Sequence, residues 1–294
     1  VRLRLKRQEE LAIPSHVTGF FVPRWASDPL ETGSVGAGLV LEPGISFGYR
    51  RSGRSSVRLN GQEFRSVALM GLLPQGIEVR VRSELPVGAG YAMSASLALA
   101  CSISAELAAG GLDLLGAFRR AHVAEVRAMT GLGDVLALHG GRGLVVRLKP
   151  GAPGIGEVQV IDVPEDVVVV SAVLGSMSTT EMLTRYADRI RHHGSEAFRR
   201  FLSDPSLERF LECSRDFARG VGFLTPDLEE RVLPIRDLLL GYSVKKRVLF
   251  AVTPLKHLEE VASHLSSEFG QVRVQRVGDG TWLRYLEAIL AIAR

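Results

Sequence analysis

Apolar and polar residues alternate in short runs through the first eighty positions, and then the spacing turns helical. Runs over 1–6, 16–22, 38–41, 45–50, 56–59, 64–69 and 76–82 predict strands, and Asn60-Gly61 predicts a tight hairpin turn between two of them. Helices are predicted over 93–109 and 113–129, the second from apolar positions at Leu114, Leu115, Phe118, Ala121, Val126 and Met129. A short helical stretch follows Asp134, then a strand over 143–148 and a proline- and glycine-rich loop at 150–154. The second half predicts strands over 157–162 and 167–174, a helical block over 178–240, a strand over 247–252, a helix over 255–269, a strand over 271–277 and a helix over 281–293. Ser178 with Glu181 three residues later signals a capping box, and Thr225-Pro226 a cap followed by proline in the first turn. The pattern fits an antiparallel sheet covered by helices, an α+β arrangement. The economical division is two lobes sharing a cleft, 1–160 and 161–294.

The segment from Glu84 to Ala100 carries the strongest functional signal. A strand ends, the chain passes through Pro86, Gly88 and Gly90, and a small-residue helix begins. Glycines let backbone approach a ligand, while the free N–H groups and positive dipole end of the helix attract an anion. Ser94 and Ser96 could add hydroxyls to a phosphate or its metal. An ordinary strand-to-helix turn would look similar, so the phosphate reading needs support from elsewhere. A second glycine-rich stretch, Thr32-Gly-Ser-Val-Gly-Ala-Gly38, together with Ser27-Asp28-Pro29, reads as another loop built to approach a ligand.

Composition narrows the class. The chain has 294 residues, 46% hydrophobic and 23% charged, enough for a sizeable core. Net charge is +4, and lysine occurs only at Lys6, Lys149, Lys245, Lys246 and Lys256. The basic residues are scattered without interleaved aromatics, so a small anionic substrate explains the charge at least as well as a polyanion. Cys101 and Cys213 lack metal-site or disulfide spacing and read as buried thiols in a cytoplasmic protein. No signal peptide is expected, and the weakly polar 92–109 stretch holds four serines and Glu106, so a buried helix is predicted and not a membrane span.

Three further residues suggest chemistry. Asp134 closes the glycine-flanked turn Thr130-Gly-Leu-Gly-Asp134, where a carboxylate could accept a hydroxyl proton or simply cap the next helix. Glu125 could hold magnesium or pair with a surface arginine, and His122 shares its helix face.

Together these segments resemble the GHMP kinase superfamily of small-molecule kinases. Its motif Pro-x-x-x-Gly-Leu-Gly-Ser-Ser-Ala is matched by Pro86-Val-Gly-Ala-Gly90-Tyr-Ala-Met-Ser94-Ala95, with tyrosine, alanine and methionine replacing the leucine, glycine and first serine. Ile13-Pro-Ser-His16-Val-Thr-Gly-Phe-Phe21, the 28–38 stretch, Thr130–Asp134 and Arg147-Leu-Lys-Pro-Gly-Ala-Pro-Gly154 are similar to the archaeal pantoate kinases within it. The resemblance implies a strand-rich N-terminal lobe with a left-handed βαβ crossover and a ferredoxin-like C-terminal lobe. It also implies ATP-dependent phosphorylation of pantoate to 4-phosphopantoate, a step towards coenzyme A.

Carried over by position, Asp134 is the catalytic residue, and Pro86, Gly88, Ala89, Gly90, Tyr91, Ala92, Met93 and Ser94 surround ATP. Ser94 and Glu125 hold magnesium. His122 and Arg147 meet pantoate, joined by a serine, with Ser27 and Ser34 both open and Ser15 a weaker candidate. Gly241-Tyr-Ser-Val-Lys-Lys-Arg247 stands where many members carry a glycine-rich third motif, which leaves the lower cleft unassigned. Neither nucleic acid nor membrane is an expected partner, and a homodimer is an open option. The rival readings are a kinase of another alcohol (homoserine, mevalonate or shikimate), a nucleic-acid-binding protein, and a non-catalytic ATP-binding regulator on the same fold.

Overall fold

The computed structural model describes residues 10–111 and 113–293, so the strand expected over 1–6 lies outside the described residues. The first half runs β1 (Leu11–Arg24), β2 (Gly33–Arg51), β3 (Ser56–Leu59), β4 (Gln62–Glu63), α1 (Val67–Met70), β5 (Ile77–Arg82), α2 (Met93–Ala109), α3 (Leu114–Arg127), α4 (Asp134–Gly140), β6 (Leu144–Lys149) and β7 (Glu157–Ile161). The second half runs β8 (Val167–Val173), α5 (Thr179–Arg185), α6 (Ala187–Ser203), α7 (Leu207–Val221), α8 (Pro226–Val232), β9 (Gly241–Lys245), β10 (Val248–Pro254), α9 (Leu258–Phe269), β11 (Val272–Val277) and α10 (Thr281–Ala293).

The long strand β2 is the spine. It pairs antiparallel with β1 along most of its length, with β6 at Gly36–Leu39, with β11 at Leu41 and Glu42, and with β5 from Ser46 onward. β3 and β5 run parallel, with the short α1 in the crossover between them. Beyond β11 the order β11-β8-β10-β9 is antiparallel throughout, and with α5–α8 and α9 as connections it is the βαββαβ pattern of a ferredoxin-like unit. The α+β expectation holds.

α2 is buried on nearly every side, and its residues allow that: Ala95, Ala98, Ala100, Cys101 and Ser102 are small enough to lie flat on the sheet beside Phe47, Val79 and Val81. The 178–240 block packs α6 and α7 against β1. Phe20 meets Phe201 and Phe210 with ring centroids 5.5 and 6.0 Å apart, and Phe21 meets Phe217 at 5.8 Å. The two caps read from the sequence form, Ser178 Oγ accepting from Glu181 N–H at 3.0 Å and Thr225 Oγ1 from Leu228 N–H at 3.4 Å. α10 returns to the first half, where Trp282 Nε1–H donates to the Gly141 carbonyl at 3.0 Å. Among the described residues no helix is long and apolar enough to cross a membrane, and both cysteines are free and buried.

Three local readings change. The 64–69 strand is replaced by the helical turn α1, because Ser66 accepts from Leu69 N–H and caps it. The 33–38 glycines lie inside β2 and form no loop. They serve close packing: a Cβ at Gly36 would fall 2.2 Å from the Phe20 carbonyl oxygen, and one at Gly38 would fall 2.3 Å from His16 Nε2. Gly241–Lys245 is a strand that pairs with β10, so the third-motif region is a hairpin.

Candidate active site

The glycine loop joins β5 to α2, and it offers backbone where side chains are turned inward. Ala89, Tyr91, Ala92 and Met93 are buried, and the Tyr91 hydroxyl lies 2.8 Å from Ser171 Oγ, which pins the loop to β8. Gly88 and Gly90 have φ of 84° and 139°, conformations that favour glycine. Ala92 also sits at φ 58°, where the superfamily motif has glycine; a non-glycine residue there costs roughly 1–2 kcal/mol. No side chain caps α2, so its first N–H groups remain available to an anion.

Asp134 is the first residue of α4, and its carboxylate turns towards β1 instead of capping the helix. His16 Nδ1 lies 2.9 Å from its Oδ1, and Thr18 Oγ1–H donates to the same oxygen at 3.4 Å. Complete burial drives His16 towards its neutral form despite the pull of Asp134, so Nδ1–H is the donor. Burial alone would raise the Asp134 carboxyl. The His16 hydrogen bond and the charges of Lys245 and Arg147 outweigh it and hold the group well below the usual carboxylate range. Asp134 is therefore an ionised carboxylate, oriented by His16 and lining the cleft.

Arg147, on β6, is 1% exposed, and its Nε and one terminal nitrogen have no hydrogen-bond partner. Burial pushes its pKa down to about 10. A buried guanidinium with unmet donors suits a planar anion such as a carboxylate. The two glycines of the Thr130–Asp134 turn make room for these groups: a Cβ at Gly133 would fall 2.4 Å from Ser34 Oγ and 2.8 Å from Arg147 Nε, and one at Gly131 would fall 2.3 Å from Glu125 Oε2.

Glu125 and Ser94 come together at the N-terminus of α2. Ser94 Oγ–H donates to Glu125 Oε2 at 3.0 Å and Thr130 Oγ1–H to Oε1 at 2.5 Å. Burial pushes the Glu125 carboxyl up to about 7, the two hydroxyl donors notwithstanding, and among the described residues it has no ion-pair partner. A buried carboxylate in no direct ion pair, with a serine oxygen beside it, fits magnesium, which takes oxygen ligands from one or two side chains and from phosphate.

Asp134, Arg147, Ser34 and Thr18 line one cleft with Lys245, Lys246, Thr179 and an apolar wall of Leu132, Met182 and Leu183. Ser27 is exposed and outside that lining, so of the two serines Ser34 faces the cleft. Ser15 is buried in the sheet, donating to the Leu41 carbonyl. His122 points behind the cleft, where its Nε2–H is shared between the carbonyls of Thr32 (2.9 Å) and Pro29 (3.2 Å), and so braces the segment that leads to Ser34. Sequence reasoning missed His16, Thr18, Thr179, Lys245 and Lys246. Lys245 is buried, with Nζ 3.8 Å from the centre of the Phe21 ring, and burial pushes it down to about 7. The scarcity of lysine was the one signal that could have singled out this adjacent pair.

Residues 61–141 match the GHMP kinases N terminal domain. The chain is 32% identical to pantoate kinase of Thermococcus kodakarensis, with 92% of this chain and 98% of that one covered. It is 29% identical to pantoate kinase of Methanocaldococcus jannaschii, with 86% and 96% covered. A solved structure described as a phosphotransferase related to the CoA biosynthesis pathway superposes with a TM-score of 0.81 at 30% identity, covering 92% of this chain and 95% of that chain.

Proposed function

The chain belongs to the pantoate kinases, within the GHMP kinases, and from that premise we propose how its cleft phosphorylates pantoate at the 4-hydroxyl with ATP. The observation that carries the reading is the unpartnered Arg147 guanidinium opening onto the same cleft as the ionised Asp134. Pantoate is a carboxylate bearing two hydroxyls and a pair of methyl groups. Arg147 and Ser34 suit the carboxylate, Leu132, Met182 and Leu183 suit the methyls, and Asp134 suits the reacting hydroxyl.

Chemistry follows from those positions. Asp134 takes the proton of the 4-hydroxyl as its oxygen forms a bond to the γ-phosphorus and the bond from that phosphorus to ADP breaks. His16 keeps the carboxylate aimed and offers no second acid, since it stays neutral. The amides at the start of α2 receive the phosphates. Ser94 and Glu125 would hold magnesium, which when bound neutralises charge on the β- and γ-phosphate oxygens. Positioning and charge do most of the work, as phosphoryl transfer requires.

The test is magnesium-dependent ADP formation with pantoate, homoserine, mevalonate and shikimate in parallel. Turnover with pantoate and not with the other three is expected. Preference for another alcohol would keep the fold and overturn the substrate assignment.

A further inference from the structure

The β9–β10 hairpin turns through Lys246 and Arg247, and its first turn residue is strained. Lys246 has φ 52°, in the left-handed region where such turns favour glycine. A lysine held in that conformation, at a functional cleft, calls for a reason.

Its surroundings supply one. The turn is fastened to the glycine loop: Arg247 N–H donates to the Ala89 carbonyl at 3.1 Å, and a Cβ at Gly90 would fall 2.6 Å from the Lys245 carbonyl oxygen. Lys246 Nζ–H donates to Thr179 Oγ1 at 2.7 Å, and the Thr179 hydroxyl donates to the Thr130 carbonyl at 2.6 Å. The ammonium group is thereby held beside the Ser94–Glu125–Thr130 cluster while lining the same cleft as Asp134. Its charge interacts with both Asp134 and Glu125, and it forms an ion pair with neither. The ammonium group is thus near both the Ser94–Glu125 pair at the start of α2 and the Asp134 carboxylate.

We propose that Lys246 is a catalytic residue, its ammonium group contacting the γ-phosphoryl oxygens during transfer. This rests on the kinase reading above. The charge matters most when the phosphoryl group lies between donor and acceptor, so its loss falls mainly on kcat. The strained backbone is the cost of placing an ammonium group where glycine would fold more easily.

The experiment compares Lys246→Gly, Lys246→Met and Lys246→Arg with the wild-type chain by steady-state kinetics and thermal unfolding. Lys246→Gly relieves the backbone strain, so its melting temperature should equal or exceed that of the wild type, while kcat falls about 10²–10³-fold. Lys246→Met should show a comparable kcat loss, and Lys246→Arg should recover part of it. The pantoate KM should move by less than about fivefold in all three. Stabilisation together with lost turnover is not the outcome of a structural lysine. The proposal is overturned if Lys246→Gly and Lys246→Met keep kcat within about threefold of wild type, or if only the KM for ATP rises. A wild-type chain that turns over a different alcohol sinks the substrate reading alone, and the same comparison is then made with that alcohol. A wild-type chain that phosphorylates none of the alcohols overturns both.

Discussion

His16 Nδ1 lies 2.9 Å from Asp134 Oδ1, across 118 positions of chain, and the imidazole fits because residue 38 is glycine. Gly38 is next to β1 in the register, and its missing side chain leaves the space that His16 fills. The aim of the proposed catalytic carboxylate thus depends on a glycine that never meets substrate.

Gly38→Ala should therefore impair both stability and activity. Its methyl would lie 2.3 Å from His16 Nε2 and 2.5 Å from the Val17 carbonyl oxygen. Overpacking of this kind costs about 1–3 kcal/mol. Denaturant unfolding measures the loss, and a kcat that stayed at the wild-type value would show that His16 does not aim Asp134.

Asp134→Asn keeps the shape and removes the proposed proton acceptor. Turnover should fall about 10²–10⁴-fold while the ATP dissociation constant changes little. Single-turnover kinetics with a nucleotide-binding titration checks both, and near-normal turnover would reassign the base.

Arg147→Met should raise the pantoate KM by about 10²-fold or more, since truncating a buried charged partner costs 2–5 kcal/mol in comparable contacts. Arg147→Lys should rescue little of it, because an ammonium group lacks the planar fork. An unchanged KM would move the carboxylate elsewhere in the cleft.

Glu125 sets a pH dependence. Its folded pKa of about 7 lies above the ordinary 4.5, so the folded chain holds this proton more tightly than the unfolded chain. The group therefore costs stability increasingly as pH rises from 4.5 to about 7, and nothing further above that. In the proposed site magnesium binds the Glu125 carboxylate, so its affinity should rise with pH up to about 7 and then level off. The magnesium dependence of ATP binding at a series of pH values measures this. Glu125→Gln should abolish the rise, and a pH-independent affinity in the wild type would remove Glu125 from the metal site.

Legibility in the sequence followed the range of the interactions. The glycine loop and α2 were readable because glycine, proline and a run of small residues act within a few positions, and the predicted 93–109 helix matches Met93–Ala109. Asp134 and Arg147 were readable as parts of local motifs. His16 was not, because a histidine inside a strand looks the same whether its partner is 118 residues away or absent. The 33–38 glycines were misread for a related reason: glycine signals a loop locally, while here it serves contacts with Phe20 and His16 on the neighbouring strand. Lys245 and Lys246 reach the cleft through the β9–β10 hairpin, and β9 has too short an apolar pattern to stand out from the helical block before it.

The most direct measurement is the position of the phosphate in the product. The chain is incubated with ATP, magnesium and (R)-pantoate, and the product is analysed by phosphorus–proton correlation NMR. A phosphomonoester coupled to the methylene protons at carbon 4 is the predicted result, because the proposed site has Arg147 hold the carboxylate and leaves the far hydroxyl at Asp134. A phosphate coupled to the single proton at carbon 2, a phosphate on the carboxylate with no such coupling, or unreacted pantoate would contradict the account.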